Sequence, residues 1–173
     1  MGGLIAARMS QQRPNLFRGV VLKAPAMAVD EKVAPPWQRA VAKWLGKHLP
    51  RMPLPGTDLA IFTRNQALLE FAEHDPIATA KVPNAMRFVA SALEAMEQAM
   101  RDAPGATTPL LILHGDKDPL TPLCGSQQYM DRVGAADKRL KVFPGLFHDF
   151  LHDEEFASET EKEIVSFLDG HCA

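Results

Sequence analysis

The stretch 109-PLLILHGDKDPLTP-122 decides the fold of this protein. Its first half, residues 109–115, is a continuous apolar run that ends in glycine. Such a run is typical of a parallel strand that is covered on both faces. Asp118 follows in a turn-forming segment. Because active sites in open parallel sheets collect at the carboxyl ends of strands, Asp118 lies where chemistry is expected.

A second strand end carries a histidine. Residues 139–145 alternate in polarity and end at Pro-Gly, which predicts another strand, and His148 follows it. An acid and then a histidine, after consecutive strands, form the second half of a Ser…Asp…His order. In that chemistry a buried carboxylate orients the imidazole, and the imidazole takes a proton from the nucleophile.

Each of these residues has an alternative interpretation. Asp118 could only cap its turn, since Asp-Pro favours turns, and Asp116 is its chief competitor. His148 has rivals in His114 and His152, and a loop histidine is often a structural hydrogen-bond partner. The order of acid and histidine at two consecutive strand ends favours the catalytic interpretation.

The remaining patterns alternate between helix and strand. Residues 3–12 predict a helix, residues 17–25 a buried strand, and residues 123–133 and 153–168 two later helices. One long amphipathic helix is indicated by apolar residues three and four apart: Met86, Val89, Leu93, Met96 and Met100. Strand–helix alternation predicts an α/β fold with a parallel sheet and right-handed crossovers.

Composition limits the function classes. The chain has 173 residues and a net charge of −2, which suits one domain or a piece of a larger one and gives no reason to expect nucleic acid. No apolar stretch is long enough for a membrane span, and the start does not read as a secretory signal, so we expect a cytoplasmic protein. Cys124 and Cys172 lack metal-ligand spacing and predict reduced thiols. We expect neither a metal nor a cofactor.

A nucleophile is missing from this pattern. None of the serines, which are Ser10, Ser91, Ser126, Ser158 and Ser166, lies in a Gly-x-Ser-x-Gly motif. Cys124 follows Asp118, whereas the expected order puts the nucleophile first.

Several segments together resemble the carboxyl-terminal part of an α/β-hydrolase of the monoacylglycerol lipase and lysophospholipase branch. Residues 1–3, Met-Gly-Gly, resemble the end of that branch's Gly-His-Ser-Met-Gly-Gly elbow, and residues 19–27 resemble the next strand. Residues 62–93 resemble its cap region. Residues 110–122 and 141–153 resemble its acid-bearing strand and its histidine loop.

This resemblance implies a set of roles. Asp118 would be the acid, His148 the base, and the nucleophilic serine would lie just before Met1, whose backbone N–H would serve the oxyanion hole. We expect an α/β-hydrolase core in residues 1–29 and 106–173, incomplete because upstream strands are missing, and a helical cap in residues 30–105. The simplest expectation is a truncated or mis-started form of a longer hydrolase.

The resemblance also implies a substrate. We expect a serine hydrolase of carboxylic esters, monoacylglycerols or lysophospholipids, that is inactive as the chain stands because it lacks the nucleophile. The cap would form an apolar tunnel for the acyl chain, lined by Phe62, Leu69, Met86, Phe88 and Leu93.

A non-catalytic role is the alternative, as a lipid-surface or protein-interaction module built on the cap. Residues 35–51 favour it, because they form a short basic amphipathic helix with two tryptophans that suits peripheral contact with a membrane. The face of this helix that carries Trp37, Val41, Trp44, Leu45 and Leu49 is expected instead to pack on the protein's own body. The upstream reading frame separates the hypotheses, since a Gly-x-Ser run directly before Met1 indicates a hydrolase.

Overall fold

A computed structural model describes residues 1–54, 63, 65–75, 84–153 and 155–172. The helices in this part are α1 (Gly2–Gln12), α2 (Pro36–His48), α3 (Gln66–His74), α4 (Met86–Asp102), α5 (Leu123–Arg132) and α6 (Ala157–Cys172). The strands are β1 (Val20–Lys23), β2 (Pro53–Leu54), β3 (Asn84–Ala85), β4 (Leu110–Gly115) and β5 (Lys138–Phe143). Each of the main elements predicted from the sequence is present, with shifted ends.

The central sheet is parallel and has the strand order β1-β4-β5. Leu110 of β4 pairs with Val20 of β1 on one side and with Lys138 of β5 on the other. Every residue of β4 is buried, as its continuous apolar sequence predicts for a central parallel strand. The α/β fold class is therefore confirmed.

Alternation along β4 divides the core into two layers. Leu110 and Ile112 face a cluster that includes Leu4 of α1 and Tyr129 of α5. Leu111 and Leu113 face the opposite cluster. It includes residues of β5, of α6 and of the segment 144–153 that carries His148, which we call the histidine loop: Phe143, Leu146, Phe150 and Phe167. Since successive side chains of a strand point to opposite faces, one apolar strand supports helices on both sides of the sheet.

Two local predictions from the sequence are corrected. The strand predicted over residues 17–25 is shorter, because β1 follows a 3-10 turn at Pro14–Leu16 and ends before Ala24, whose φ of 41° is not extended. Asp75 is the C-cap of α3, and the helix that the Asp75-Pro76 step predicts would lie in residues that the structure does not describe. The apolar pattern of the helix predicted over residues 153–168 places Leu168 and Phe167 on its inward face, but Leu168 is exposed on α6.

The packing of α2 also differs from the expectation. This helix packs against α4 at Gly46, where an added Cβ would lie 2.3 Å from the Cβ of Ala90. Because the contact is made at the smallest residue, the helices approach closely and the opposite face is left outside. Trp37 and Trp44 are 65% and 59% exposed, and Val41 and Leu49 are exposed as well.

Within the described part of the chain, β1 has one neighbouring strand, β4, so its other edge carries no strand. The segment 30–105 holds α2, α3, α4 and the two-residue antiparallel pair β2–β3. That residues 30–105 form a cap on a core made of residues 1–29 and 106–173 stays a prediction. None of the described helices combines the length and apolar character that crossing a membrane requires.

Candidate active site

Asp118, the acid predicted from the sequence, lies in the turn after β4, residues 116–122, which we call the acid turn. Its side chain is fully buried, and each carboxylate oxygen accepts two hydrogen bonds. Oδ1 of Asp118 accepts from the backbone N–H groups of Leu120 and Thr121 at 2.8 and 2.9 Å. Oδ2 accepts from the hydroxyl of Thr121 at 2.7 Å and from Nδ1 of His148 at 2.8 Å. Asp118 therefore caps its turn and binds the histidine at the same time.

His148 follows β5, and 16% of its side chain is exposed. A carboxylate only accepts hydrogen bonds, so the bond to Asp118 fixes the proton of a neutral imidazole on Nδ1 and leaves the lone pair on Nε2. This is the tautomer that a general base requires. The hydrogen bond expected from the sequence is present, and the catalytic roles of the two residues stay predictions.

The first rival histidine, His114, belongs to the buried support of the acid turn. Its Nε2 lies 2.9 Å from the carbonyl oxygen of Thr121 and 3.5 Å from Oδ2 of Asp118. A carbonyl only accepts, so Nε2 carries the proton and Nδ1 accepts from the hydroxyl of Ser126 at 2.8 Å. His114 thus connects the acid turn to α5 from inside the core.

The second rival histidine and the competing acids have other partners. His152 is exposed, and its Nδ1 bonds to Asp149 at 2.7 Å. Asp149 also pairs with Lys23 of β1 at 2.5 Å, which ties the histidine loop to the sheet. The carboxylate of Asp116 accepts the backbone N–H of Gly145.

Hydrogen bonds decide the charge of Asp118. Burial alone would raise its pKa, because desolvation penalises the anion. The hydrogen bonds from His114, His148 and Thr121 outweigh that penalty and hold the pKa of Asp118 well below its usual range. Since the Nε2–H of His114 is closer to the carbonyl of Thr121, we assign most of this effect to His148 and Thr121. Lys23 and His152 likewise lower the pKa of Asp149 against its burial.

A close backbone contact holds the acid turn on the histidine loop. An added Cβ at Gly115 would lie 2.2 Å from the carbonyl oxygen of Leu146 and 2.7 Å from that of Phe147. The N–H of Lys117 donates to the same oxygen of Leu146 at 3.0 Å. Only glycine fits here, so Gly115 sets the distance between the two loops.

The beginning of α1 lies at this same edge of the sheet. Met1 caps α1, and its carbonyl accepts the N–H of Leu4 at 3.0 Å. An added Cβ at Gly3 would lie 2.9 Å from the Cβ of Pro25, and the carbonyl of the preceding Ala24 lies 3.2 Å from the Thr121 hydroxyl. Ala24 and Pro25 thus connect the start of α1 to the acid turn.

The residues predicted to line an acyl tunnel lie in different places. Phe88 is half exposed, in an apolar groove of about 380 Å³ between α1 and α4 that also includes Met1. Met86 is buried and Leu69 is half-buried. Leu93 lines a separate cavity on another side of α4, and Phe62 lies outside the described residues.

The family of the chain follows from comparison with known proteins. A family model described as "Serine aminopeptidase, S33" matches residues 1–155. The chain belongs to the serine aminopeptidase family. The resemblance stated from the sequence is thereby confirmed at the level of the family.

Relatives of this serine aminopeptidase family member include lipases. The chain is 36% identical over 173 residues to the monoacylglycerol lipase of Mycolicibacterium smegmatis, covering 99% of this chain and 60% of that protein. It is 30% identical over 175 residues to the monoglyceride lipase of Mus musculus, covering 57% of it. The chain therefore spans about 60% of the length of these relatives.

Solved structures share its fold. The crystal structure of Paleococcus ferrophilus monoacylglycerol lipase superposes with a TM-score of 0.87 at 30% identity, over 98% of this chain and 65% of that one. A soluble variant of monoglyceride lipase from Saccharomyces cerevisiae, in complex with a substrate analog, gives a TM-score of 0.83 over 98% of this chain and 62% of that one. At 20% identity the second match supports the fold alone.

Several site residues were not identified from the sequence. Thr121 follows Asp118 by one helical turn's spacing in Asp-Pro-Leu-Thr, which is a local signal for a side chain that returns to the acid. The roles of Lys23, Gly115 and Ser126 carry no such signal, because their partners come from distant segments.

Asp118→Asn should remove a stabilisation that depends on pH. The folded state depresses the pKa of Asp118, so its contribution is fully present above about pH 4, the ordinary aspartate value, and is lost as the pH falls towards the folded pKa. We expect the variant to lose about 2 kcal/mol of unfolding free energy at pH 7. Urea unfolding should show this difference shrinking below about pH 4.

Asp131→Asn is the matched control, because Asp131 is exposed on α5, and it should change the stability little at any pH. A difference between wild type and Asp118→Asn that stays constant from neutral to strongly acidic pH would contradict the assignment.

Gly115→Ala should separate the two loops. The added methyl group collides with the carbonyl of Leu146, so we expect the unfolding free energy to fall by about 2 kcal/mol. We also expect the hydrogen-bonded Nδ1 proton of His148 to disappear from the downfield NMR spectrum. Gly105→Ala is the control, since no atom of the described residues lies within 4 Å of an added Cβ there. Retention of both the stability and the Nδ1 proton would refute this role of Gly115.

Proposed function

We propose that a protein containing these residues hydrolyses carboxylic esters by acyl transfer through a serine. His148 is the general base, and the carboxylate of Asp118 orients it. The observation that carries the proposal is the 2.8 Å hydrogen bond between a buried carboxylate and an imidazole at the carboxyl edge of a parallel sheet. In this mechanism Nε2 of His148 takes the serine proton as the hydroxyl attacks the ester carbonyl. It then returns the proton to the leaving alkoxide, and water cleaves the acyl-serine by the same steps.

The serine of this mechanism is proposed to be the residue directly before Met1. Support comes from the Met-Gly-Gly at residues 1–3 and from the position of α1, which begins at Gly2 on the same edge of the sheet as Asp118. Within a continuous chain, the backbone N–H of Met1 would lie at the positive end of α1 and would stabilise the oxyanion.

The proposed substrate is a monoacylglycerol or a lysophospholipid. The names of the relatives from M. smegmatis and mouse support the first. The groove between α1 and α4 supports an acyl chain, because Phe88, Ile5 and Met9 give it an apolar lining that reaches Met1. Of the residues predicted to bind the acyl chain, Phe88 therefore has the strongest support, whereas Leu93 lines a different cavity.

Labelling by a fluorophosphonate probe tests the nucleophile. The 173-residue chain should not be labelled and should not turn over an acylglycerol, since none of its serines lies in a Gly-x-Ser-x-Gly motif. A form that begins further upstream in the same reading frame should be labelled at a serine next to Met1. His148→Ala should abolish that labelling, and Asp118→Asn should lower ester hydrolysis by about four orders of magnitude.

His152→Ala is the matched control, because this exposed histidine bonds to Asp149, and labelling should persist. Labelling of the 173-residue chain at one of its own serines, with loss of the label in His148→Ala, would overturn the proposed nucleophile.

We also propose peripheral contact between α2 and an anionic lipid surface, the role on which the non-catalytic alternative depends. Trp37, Val41 and Trp44 form an exposed stripe on this helix. Lys47 and Arg51, both exposed, supply positive charge at its carboxyl end. Aromatic side chains beside lysine and arginine on an amphipathic helix suit the boundary between head groups and acyl chains.

Tryptophan fluorescence reports on this contact directly, because both tryptophans of the protein lie on α2. Vesicles that contain phosphatidylserine should shift the emission to the blue, and phosphatidylcholine vesicles should shift it less. Trp44→Phe should keep vesicle binding in a sedimentation assay, whereas Trp44→Ser should weaken it. Val165→Ser, an exposed apolar site on α6, is the control. Equal binding by all three variants would contradict this surface.

A further inference from the structure

A second cavity lies between α2, α4, α5 and the segment after β1. Its volume is about 320 Å³, within the range of small-ligand sites. It shares no lining residue with the groove between α1 and α4. Its lining consists of Met27, Ala28, Val29, Arg39, Leu93, Met96, Glu97, Met100, Arg101, Gln128 and Arg132, and we call it the arginine cavity.

The charge of the arginine cavity is positive. Its lining includes three arginines, Arg39, Arg101 and Arg132, and one carboxylate, Glu97, which already binds Lys43 at 2.8 and 3.0 Å. Within the described residues, neither Arg101 nor Arg132 forms an ion pair. These arginines occupy the last turns of α4 and α5, where the helix dipole also favours a cation.

The helix dipole does not explain the position of Arg39. It lies near the amino end of α2, where the helix dipole disfavours a cation. Its Nε is buried and finds no hydrogen-bond partner among the described residues. Its only carboxylate contact there is Glu31, 3.4 Å from Nη2 and itself 77% exposed. A buried guanidinium N–H without a partner costs free energy, so an acceptor supplied by a ligand would stabilise it.

The rest of the lining is apolar. Met27 and Leu93 are buried at the base of the cavity, and Met96 and Met100 are half-buried along α4. Methionine side chains adapt to irregular hydrocarbon shapes. The cavity thus combines guanidinium groups with a hydrocarbon surface.

We propose that the arginine cavity binds a small anionic amphiphile, in which a carboxylate or phosphate group is attached to a short hydrocarbon chain. Guanidinium groups bind both oxyanions through paired N–H donors. The hydrocarbon chain would lie on Leu93 and the methionines. The ligand could be a free fatty acid or a lipid phosphate, which share this chemistry. The proposal does not depend on the hydrolytic mechanism.

NMR of the full chain labelled with ¹³C at the methionine methyl groups tests the site. The probes are octanoate, octyl phosphate, inorganic phosphate and octanol. Octanoate or octyl phosphate should shift the methyl signals of Met27, Met96 and Met100. Binding of one but not the other supports the proposal and identifies the head group. Shifts confined to Met1 and Met9 would indicate the groove between α1 and α4 and would overturn the proposal.

The two remaining probes separate charge from hydrocarbon. Octanol that binds as tightly as octanoate would show that the arginines do not contribute, and inorganic phosphate that binds as tightly as octyl phosphate would show that the apolar lining does not. Either result overturns the amphiphile site.

Two variants test the arginines. Arg39→Gln and Arg132→Gln should each weaken binding of the amphiphile about tenfold, the effect expected for loss of one charge-assisted hydrogen bond. Both side chains reach solvent, so the fold should tolerate the changes. Arg87→Gln, on the exposed side of α4 outside the cavity, is the control and should bind as wild type does. Unchanged affinity in both cavity variants would refute the proposal.

Discussion

The site depends on one buried carboxylate. Placing the charge of Asp118 inside the protein carries a desolvation cost that only hydrogen bonds can offset. Four donors meet its two oxygens, and they come from the acid turn and from His148. Each of these bonds also fixes a piece of backbone or a side chain. The charge therefore determines both the shape of the turn and the tautomer of the imidazole.

The surrounding backbone keeps this arrangement in place. Gly115 brings β4 against the histidine loop, and the ion pair between Lys23 and Asp149 ties that loop to β1. Ala24 adopts a positive φ of 41°, an uncommon conformation for a residue with a Cβ, and directs its carbonyl towards Thr121. Such strain persists where neighbouring contacts over-determine it, and here it lies beside the acid turn.

The contact between α2 and α4 has two consequences for the surface. Gly46 packs against Ala90, so α2 turns its small face inward and leaves Trp37 and Trp44 outside. The same placement brings Arg39 over the carboxyl half of α4, where it meets two other arginines. A single close helix contact thus creates both an exposed aromatic stripe and a positively charged cavity.

The sequence by itself predicted the main elements and their order along the chain, and it favoured Asp118 and His148 over their rivals as a pair. It did so because apolar runs, period and turn residues are local signals, and because parallel strands bring their carboxyl ends to one edge. It did not determine which face of α2 is buried, since an apolar stripe indicates amphipathicity but not its partner. The partners of Gly115, Lys23 and Arg39 were also decided only by tertiary structure. Each of these contacts joins segments whose distance depends on how the helices pack, and no local pattern encodes that distance.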